Sequence, residues 1–337
     1  MGYSSQAGQV ILRTQTVLGT YNADTGTAGV GVKLRSGGLG TNRDLLIPDP
    51  EIGGGRDVSD AYLGASSWSG DYEFYARVDA LATMLKAALG TAAAPVTATG
   101  VTTHTITPSD AAALPYLSIE EAIGNGLEVY RYNDAVVNSL HLEAEANGYL
   151  MGTAGIIGAK QVAGAVRTPA PLWDETPMIV GTNITVTYNA VTLPAKSFSL
   201  DIANNFEDDD FRLGSFFLGD LTPKRREVTA SFGIRESDSA LWRQATYGLP
   251  AATQVGGLTT KNALVITCKT YETIPAGTPL TEYTLTITIP KFALTPYSLE
   301  ASGDDIIESD IEGQALRPLI ATPLMTAVVK TGKVTIS

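Results

Sequence analysis

A mainly β fold carrying the same module twice is predicted from this sequence on three observations. Charged residues make up only 17% of the 337, glycine is abundant at 34, and apolar periodicity of helical length is rare, the profile of strands joined by many turns. Several short runs alternate apolar and polar residues, the period of a strand with one wet face. The order of elements also repeats. A strand at 30–34 and a long hairpin returning through 71–75 lead to a short helix ending at Leu89-Gly90; strands at 198–202 and 228–234 lead to a helix ending at Tyr247-Gly248. Each helix is followed by a variable connection and an alternating strand, 140–146 and then 283–289. Gly248 lies 158 residues after Gly90, a domain-sized period well beyond that of a solenoid.

Taken in order, residues 1–28 are small and polar and read as an arm, extended against a neighbour or mobile, ahead of a first domain over 29–165. Within it, 36–64 is rich in glycine and aspartate, and so long an irregular stretch in a compact domain is usually functional. At 68–75 Tyr72 and Phe74 point one way, Asp71 and Glu73 the other. The helix at 77–89 sets Val78, Leu81, Ala82, Leu85 and Leu89 on one stripe, with Gly90 as its stop. Short strands follow at 114–119, behind Pro115, and at 127–132. The cleanest alternation is at 138–147: Leu140, Leu142, Ala144 and Ala146 against His141, Glu143, Glu145 and Asn147. A proline-bearing linker spans 166–195 and a second domain 196–337. There Phe198, Leu200 and Ile202 alternate with Ser199, Asp201 and Ala203. An acidic loop, 204–220, carries Asp208, Asp209 and Asp210, and the basic triplet Lys224, Arg225, Arg226 follows. Ser237 is positioned to cap a helix burying Leu241 and Trp242. Leu285, Ile287 and Ile289 face inward opposite Thr284, Thr286 and Thr288, and a strand at 327–336 ends the chain.

The net charge of −12 disfavours tight phosphate binding, which is driven by Lys and Arg displacing counterions. One cysteine, Cys268, excludes an intrachain disulfide framework and reads as a small buried hydrophobe in a strand. No secretory signal and no apolar run of about 18 residues is visible, so a soluble chain made in the cytoplasm, away from membranes, is expected. The consecutive aspartates lack the alternate spacing and turn glycine of a calcium loop. Gly29-Val30-Gly31 and Gly332-Lys333 fall short of nucleotide-binding turns. His104 and His141 have no metal or nucleophile spacing, and read as hydrogen-bonded strand residues. No catalytic site and no cofactor follow, and a hydrolase lacks nucleophile, base and orienter. A carbohydrate-binding module stacking sugars on Trp68, Tyr72 or Trp242 is a competing class, although those aromatics suit buried faces better.

In their order along 30–300, several stretches resemble the tail tube (major tail) proteins of long-tailed bacteriophages. They are the glycine-rich hairpin with Leu45-Leu46-Ile47-Pro48-Asp49-Pro50-Glu51-Ile52 and Arg56, the helix end Leu89-Gly90, His104 with Leu114-Pro115-Tyr116-Leu117-Ser118-Ile119, and Ser197-Phe198-Ser199-Leu200 through Ile202, Asn204, Asn205, Leu213-Gly214 and Val228. The resemblance implies two tandem tail-tube-like β-barrel or β-sandwich domains, each with a flanking helix and a long hairpin loop. It implies no catalysis: rings stack into a hollow tube that conducts DNA, and the tape measure protein before it, from capsid to host. Partners implied are the chain itself, the tape measure, tail terminator and distal tail proteins, and double-stranded DNA in passage, with assembly in the host cytoplasm into the virion tail. Rings in the family are six domains round, so two domains per chain would give a pseudo-sixfold trimer. Another β-rich virion component, a distal tail or decoration protein, is the alternative within structural proteins.

An electronegative bore would give DNA a low-adhesion wall. Glu143 and Glu145, with Asp71, Glu73, Asp201 and the 284–288 threonines, are the candidates to line it, the alternative being an outer solvated sheet face. Ring stacking is assigned to the hairpin, with Arg35, Asp49, Glu51 and Arg56, and to Asp208, Asp209 and Asp210 against Lys224, Arg225 and Arg226 of an adjacent ring. Alternatively, those two segments pair inside one subunit.

Overall fold

The computed structural model describes residues 4–22, 29–53, 57–58, 60–111, 113–236, 238–299, 306–318 and 322–336. The first half holds β1 (Gln9–Thr14), β2 (Val30–Val32), β3 (Leu34–Gly37), β4 (Gly40–Leu46), β5 (Tyr62–Tyr75), α1 (Val78–Leu89), β6 (Gly90–Ala92), β7 (Val96–Ala98), β8 (Val101–Pro108), β9 (Leu117–Ile123), β10 (Glu128–Glu145) and β11 (Met151–Val162). The second holds β12 (Ile184–Tyr188), β13 (Val191–Thr192), β14 (Ala195–Ala203), β15 (Glu227–Arg235), α2 (Ala240–Tyr247), β16 (Asn262–Thr273), β17 (Glu282–Leu294), β18 (Glu308–Ala315) and β19 (Thr326–Thr331). The chain is mainly β, and these strands pair into one continuous antiparallel sheet.

Pairing in the first half runs β2–β1–β9–β10–β11–β5, with β3 and β4 end to end on the far edge of β5. In the second it runs β13–β12–β16–β17–β18–β15–β14, the same order of elements. Two ladders join the halves. The end of β10 pairs with β14, Leu142 opposite Leu200, and β8 pairs with β19, His104 opposite Val329. One hydrophobic cluster therefore runs from Val10 and Leu12 through Leu140, Leu200 and Phe232 to Val329.

Helix α1 lies inside this core. Its apolar stripe, with Leu81, Met84, Leu85, Ala88 and Leu89 all essentially inaccessible, contacts β10, β8 and β19. Gly90 adopts φ 103°, a left-handed stop that costs a residue without Cβ little, and its N–H returns to Lys86 O. The helix start has no side-chain cap at its own N-cap, Arg77. Its cap comes from the region between the halves: Asp174 Oδ2 accepts from Ala80 N at 2.7 Å and Thr176 Oγ1 from Val78 N at 3.0 Å. Asp174 and Thr176 are buried, so these bonds are shielded from competing water.

Several elements depart from the pattern that the sequence predicts. Residues 9–14, read as part of an arm, form β1 with Val10, Ile11 and Leu12 buried. Residues 184–188 and 191–192, within the expected linker, are strands of the second half. The strands expected at 127–132 and 138–147 are one strand, β10. It survives an Asp134 at φ 58° because Gln15 and Gly19, both in the loop after β1, satisfy that carboxylate. Ser237 lies outside the described residues. The N-cap of α2 is Ser239, Asp238 Oδ1 accepts from Ala240 N, and the helix buries Gln244 and Ala245 while Leu241 and Trp242 stay half-exposed. Among the described residues no helix is long and apolar enough to cross a membrane.

Candidate functional site

Directly paired residues in an antiparallel ladder share a face, so the registers decide which side chains stand together. Across the run β5–β11–β10–β14–β15–β18, one row reads Glu73, Thr153, His141, Asp201, Thr229, Gln314. The next reads Tyr75, Met151, Glu143, Ser199, Ser231, Glu312, and beyond it stand Glu145, Ser197, Gly233 and Asp310. On the other side of the His141 row come Asp71, Gly155, Ser139, Ala203 and Glu227. Asp71, Glu73, Glu143, Glu145 and Asp201, spread over strands from both halves, thus occupy one face of one sheet. The opposite face carries Leu140, Leu142, Phe198, Leu200 and Phe232 into the core with α1.

That face is acidic and hydroxyl-rich. Its few cations sit at the margins: Arg35 on β3 places Nη1 3.2 Å from Met151 Sδ, and Lys196 pairs with Glu308 beside Arg235. Serines and threonines fill the middle, with Ser199 and Ser231 hydroxyls 2.8 Å apart. Gly155 leaves room for neighbouring side chains, since a Cβ there would lie 2.3 Å from Ser139 Oγ and 3.1 Å from Asp71 Oδ1 and the Ser139 hydroxyl would have to turn away.

His141 spans the joint between the halves. Its Nδ1 lies 2.6 Å from Asp201 Oδ1 on β14 and its Nε2 3.4 Å from Glu143 Oε2 on its own strand. Burial of the ring works against its charge, but the two carboxylates outweigh that and hold the imidazole above the ordinary histidine range. His104 instead bonds Lys333 O at 2.9 Å and is buried.

The acidic face ends where the 204–220 loop folds over it. Phe206, Leu218 and Leu221 cover Val136, Ile157 and Ala159 of β10 and β11 in a separate apolar cluster. Asp210 is bound within this loop by Arg212, Nη2 to Oδ2 at 2.6 Å, and Asp220 lies 2.9 Å from the same guanidinium. Asp208 and Asp209 are exposed. The basic triplet does not meet the acidic one. Lys224 Nζ is 3.9 Å from Glu207 and Arg225 Nε 3.9 Å from Glu227. Arg226 is drawn inward to Asn204 Oδ1 at 3.0 Å, Ser109 O at 3.2 Å and Leu89 O at 3.4 Å, where it helps satisfy the C-terminal carbonyls of α1. Arg226 is therefore committed within its own chain, unlike the role expected of it. Asn205 and Lys224 pair by backbone, so the two segments run as one irregular hairpin.

Asp49 and Glu51 are exposed in the connection between β4 and β5, and Arg56 lies outside the described residues. Leu45, Leu46, Ile47, Tyr62 and Leu63 are exposed around them. The acidic loop touches this hairpin: Ser66 N donates to Phe216 O at 2.8 Å, and the Trp68 and Phe217 rings are 6.5 Å apart. Phe216 and Leu213 are exposed alongside. Thr284, Thr286 and Thr288 pair with β16 and β19, off the acidic run.

Trp68 and Tyr72 are buried and unavailable for sugar stacking, and Trp242 is half-buried, with Nε1 on Tyr297 O and its ring 5.0 Å from that of Tyr247. Cys268 is buried in β16, and burial pushes its thiol up to about 12, which silences it as a nucleophile. Sequence reading missed Glu120, fully buried and held by Arg131, Gln9 and Thr168; no local pattern marks a carboxylate whose partners lie on three other segments.

A family model described as phage tail tube protein matches residues 5–315. No curated protein matches the chain.

Proposed function

The chain belongs to the phage tail tube protein family, a structural component of the virion tail, and from that premise we propose that it is a ring-forming subunit whose acidic sheet face lines a DNA-conducting bore. The carrying observation is that Asp71, Glu73, Glu143, Glu145 and Asp201 share one face of one uninterrupted strand run, while the reverse face is sealed by the core and α1. Duplex DNA carries about one charge per 1.7 Å of axis, so a wall of carboxylates and hydroxyls offers phosphates no counter-charge to hold. A bore of duplex width also needs more strands than one small barrel supplies, so inner sheets must be pooled from several modules.

The recurring pairing order supports reading the chain as two tandem tube modules, divided between β11 and β12. Six modules per ring then require three chains in a pseudo-sixfold arrangement. The β4–β5 hairpin and the acidic loop lie together and carry exposed apolar side chains. They are the proposed contact between successive rings, with Asp49, Glu51, Asp208 and Asp209 setting register more than strength. The tape measure, tail terminator and distal tail proteins are the expected partners along the tube and at its ends.

Negative-stain microscopy of the purified chain tests this reading. Stacked rings with an axial hole and three chains per ring are expected. A protein that stays monomeric in every condition, or packs without a central opening, would refute it.

A further inference from the structure

Two grooves in this molecule have matching walls and different contents. In the second half, the outer edge of β14 faces a corner formed by Gly181 and Ile184, and the end of β10 lies between them. Ala144 pairs there with Phe198, and Ala146 N donates to Lys196 O at 2.8 Å. Gly181 lets the strand through, because a Cβ at that position would fall 1.9 Å from Glu145 O. Only about 20 Å³ remains open. In the first half, the outer edge of β3 faces the matching corner at Gly8 and Val10, and a groove of about 520 Å³ lies open between them. Among the described residues no strand pairs with that edge of β3.

The correspondence is set by topology. β2 leads into β3 as β13 leads into β14, and Leu34 stands opposite Phe74 as Phe198 stands opposite Phe232. The strand end that ought to fill the open groove can be identified in the same way. β17 holds between β16 and β18 the place that β10 holds between β9 and β11. Its ladder with β16 stops at Phe292, whereas on the other side it runs on, with Thr295 N donating to Glu312 O at 2.8 Å. Among the described residues the chain thus carries one open groove and one strand end whose edge beyond Phe292 has no ladder partner, and such edges are normally covered or blunted.

The geometry points to these two features meeting between chains: the end of β17 and residues 295–299 of one copy enter the groove beside β3 of a second copy, repeating the β10–β14 joint. This rests on the tube-subunit reading and names the surfaces through which copies join. Main-chain pairing of the two edges supplies the affinity, with Pro296 offering its carbonyl but no N–H to the ladder. Charge supplies the match, since β3 brings the exposed Arg35 and β18, beside the incoming strand, presents Asp310 and Glu312. The contact is head-to-tail, so copies close into a ring where the step between chains repeats the step between modules and six such steps complete one turn without a rise.

Paired cysteines test it. Ser36 on β3 and Ser298 after β17 are exposed, while Cys268 is buried and does not compete. In Ser36→Cys/Ser298→Cys protein, mild oxidation is expected to give covalent multimers that a reductant dissolves, with each single variant remaining a single chain. Glu143→Cys/Ser199→Cys, opposite each other across the internal joint, serves as the oxidation control. Rings by microscopy and an oxidised control, with no linkage between 36 and 298, would overturn this joint and leave the tube reading standing. A wild-type chain that never assembles would overturn both. If the double variant does not fold, Arg35→Glu is expected to raise the concentration needed for assembly at least tenfold, with Asp310→Arg/Glu312→Arg restoring it; unaltered assembly in Arg35→Glu would also overturn it.

Discussion

Reversing the charge of the β10 carboxylates should turn a non-adhesive wall into one that grips DNA. Glu143 and Glu145 project from the face as exposed residues, and among the described residues their close side-chain partner is His141, 3.4 Å from Glu143. Glu143→Lys/Glu145→Lys therefore leaves the core and the β10–β14 ladder untouched, and tubes should form as in the wild type. Each substitution moves the charge by about two, and with the three chains to a ring proposed above about six lysines would face the bore. About six phosphate contacts give a salt slope near −5 and a loss of roughly 10³ in affinity between 50 and 200 mM salt. The assay is retention of labelled duplex by assembled tubes across that salt range, with ejection rate and infectivity of phage carrying the variant. Well-formed variant tubes that bind no DNA at low salt, in phage that eject and infect like the wild type, would remove these carboxylates from the bore.

Asp174→Ala strips the buried cap from α1 and leaves the Ala80 and Thr176 N–H groups without their acceptor, so a loss of about 2–4 kcal/mol is expected in urea unfolding; a change below about 0.5 kcal/mol would mean the cap contributes little. Gly181→Ala drives a Cβ into Glu145 O and should cost about 1–3 kcal/mol or more at the joint between halves, read by thermal midpoint and by protease cleavage near residue 181. His141 is more basic folded than unfolded, so its contribution is full below the ordinary histidine range, near 6.5, and fades as pH rises through the raised folded value. The urea midpoint of the wild type should accordingly fall as pH rises from the ordinary histidine value, about 6.5, through the raised folded value, and that part of the fall should vanish in His141→Gln. An identical pH dependence in the variant would assign it to other groups.

Alternation along the chain was enough to decide which side chains of β10 and β14 face out. Leu140, Leu142, Leu200 and Ile202 can only be buried, which leaves His141, Glu143, Glu145 and Asp201 on the wet side. The ends of both helices were equally legible, since a glycine in the left-handed region after an apolar stripe stops a helix by local geometry. Choice of partner is another kind of quantity. Nothing near residue 140 says that β14 lies beside it, and nothing near residue 78 says that Asp174 will cap that helix. A period of two assigns a residue to a face without saying which strand comes next.

Those choices came from tertiary structure, because each depends on burying a long-range surface whose members lie far apart in the chain. The Asn133-Asp134 step shows the limit most plainly. Locally it resembles a turn; Gln15 and Gly19 satisfy its carboxylate from more than a hundred residues away and carry β10 through as one strand. Arg226 shows the same limit, since a basic triplet reads as solvated until the carbonyl of Leu89 is found beside it. The acidic residues were therefore chosen one strand at a time by period and composition, whereas their gathering onto a common face was decided by the pairing of strands from both halves.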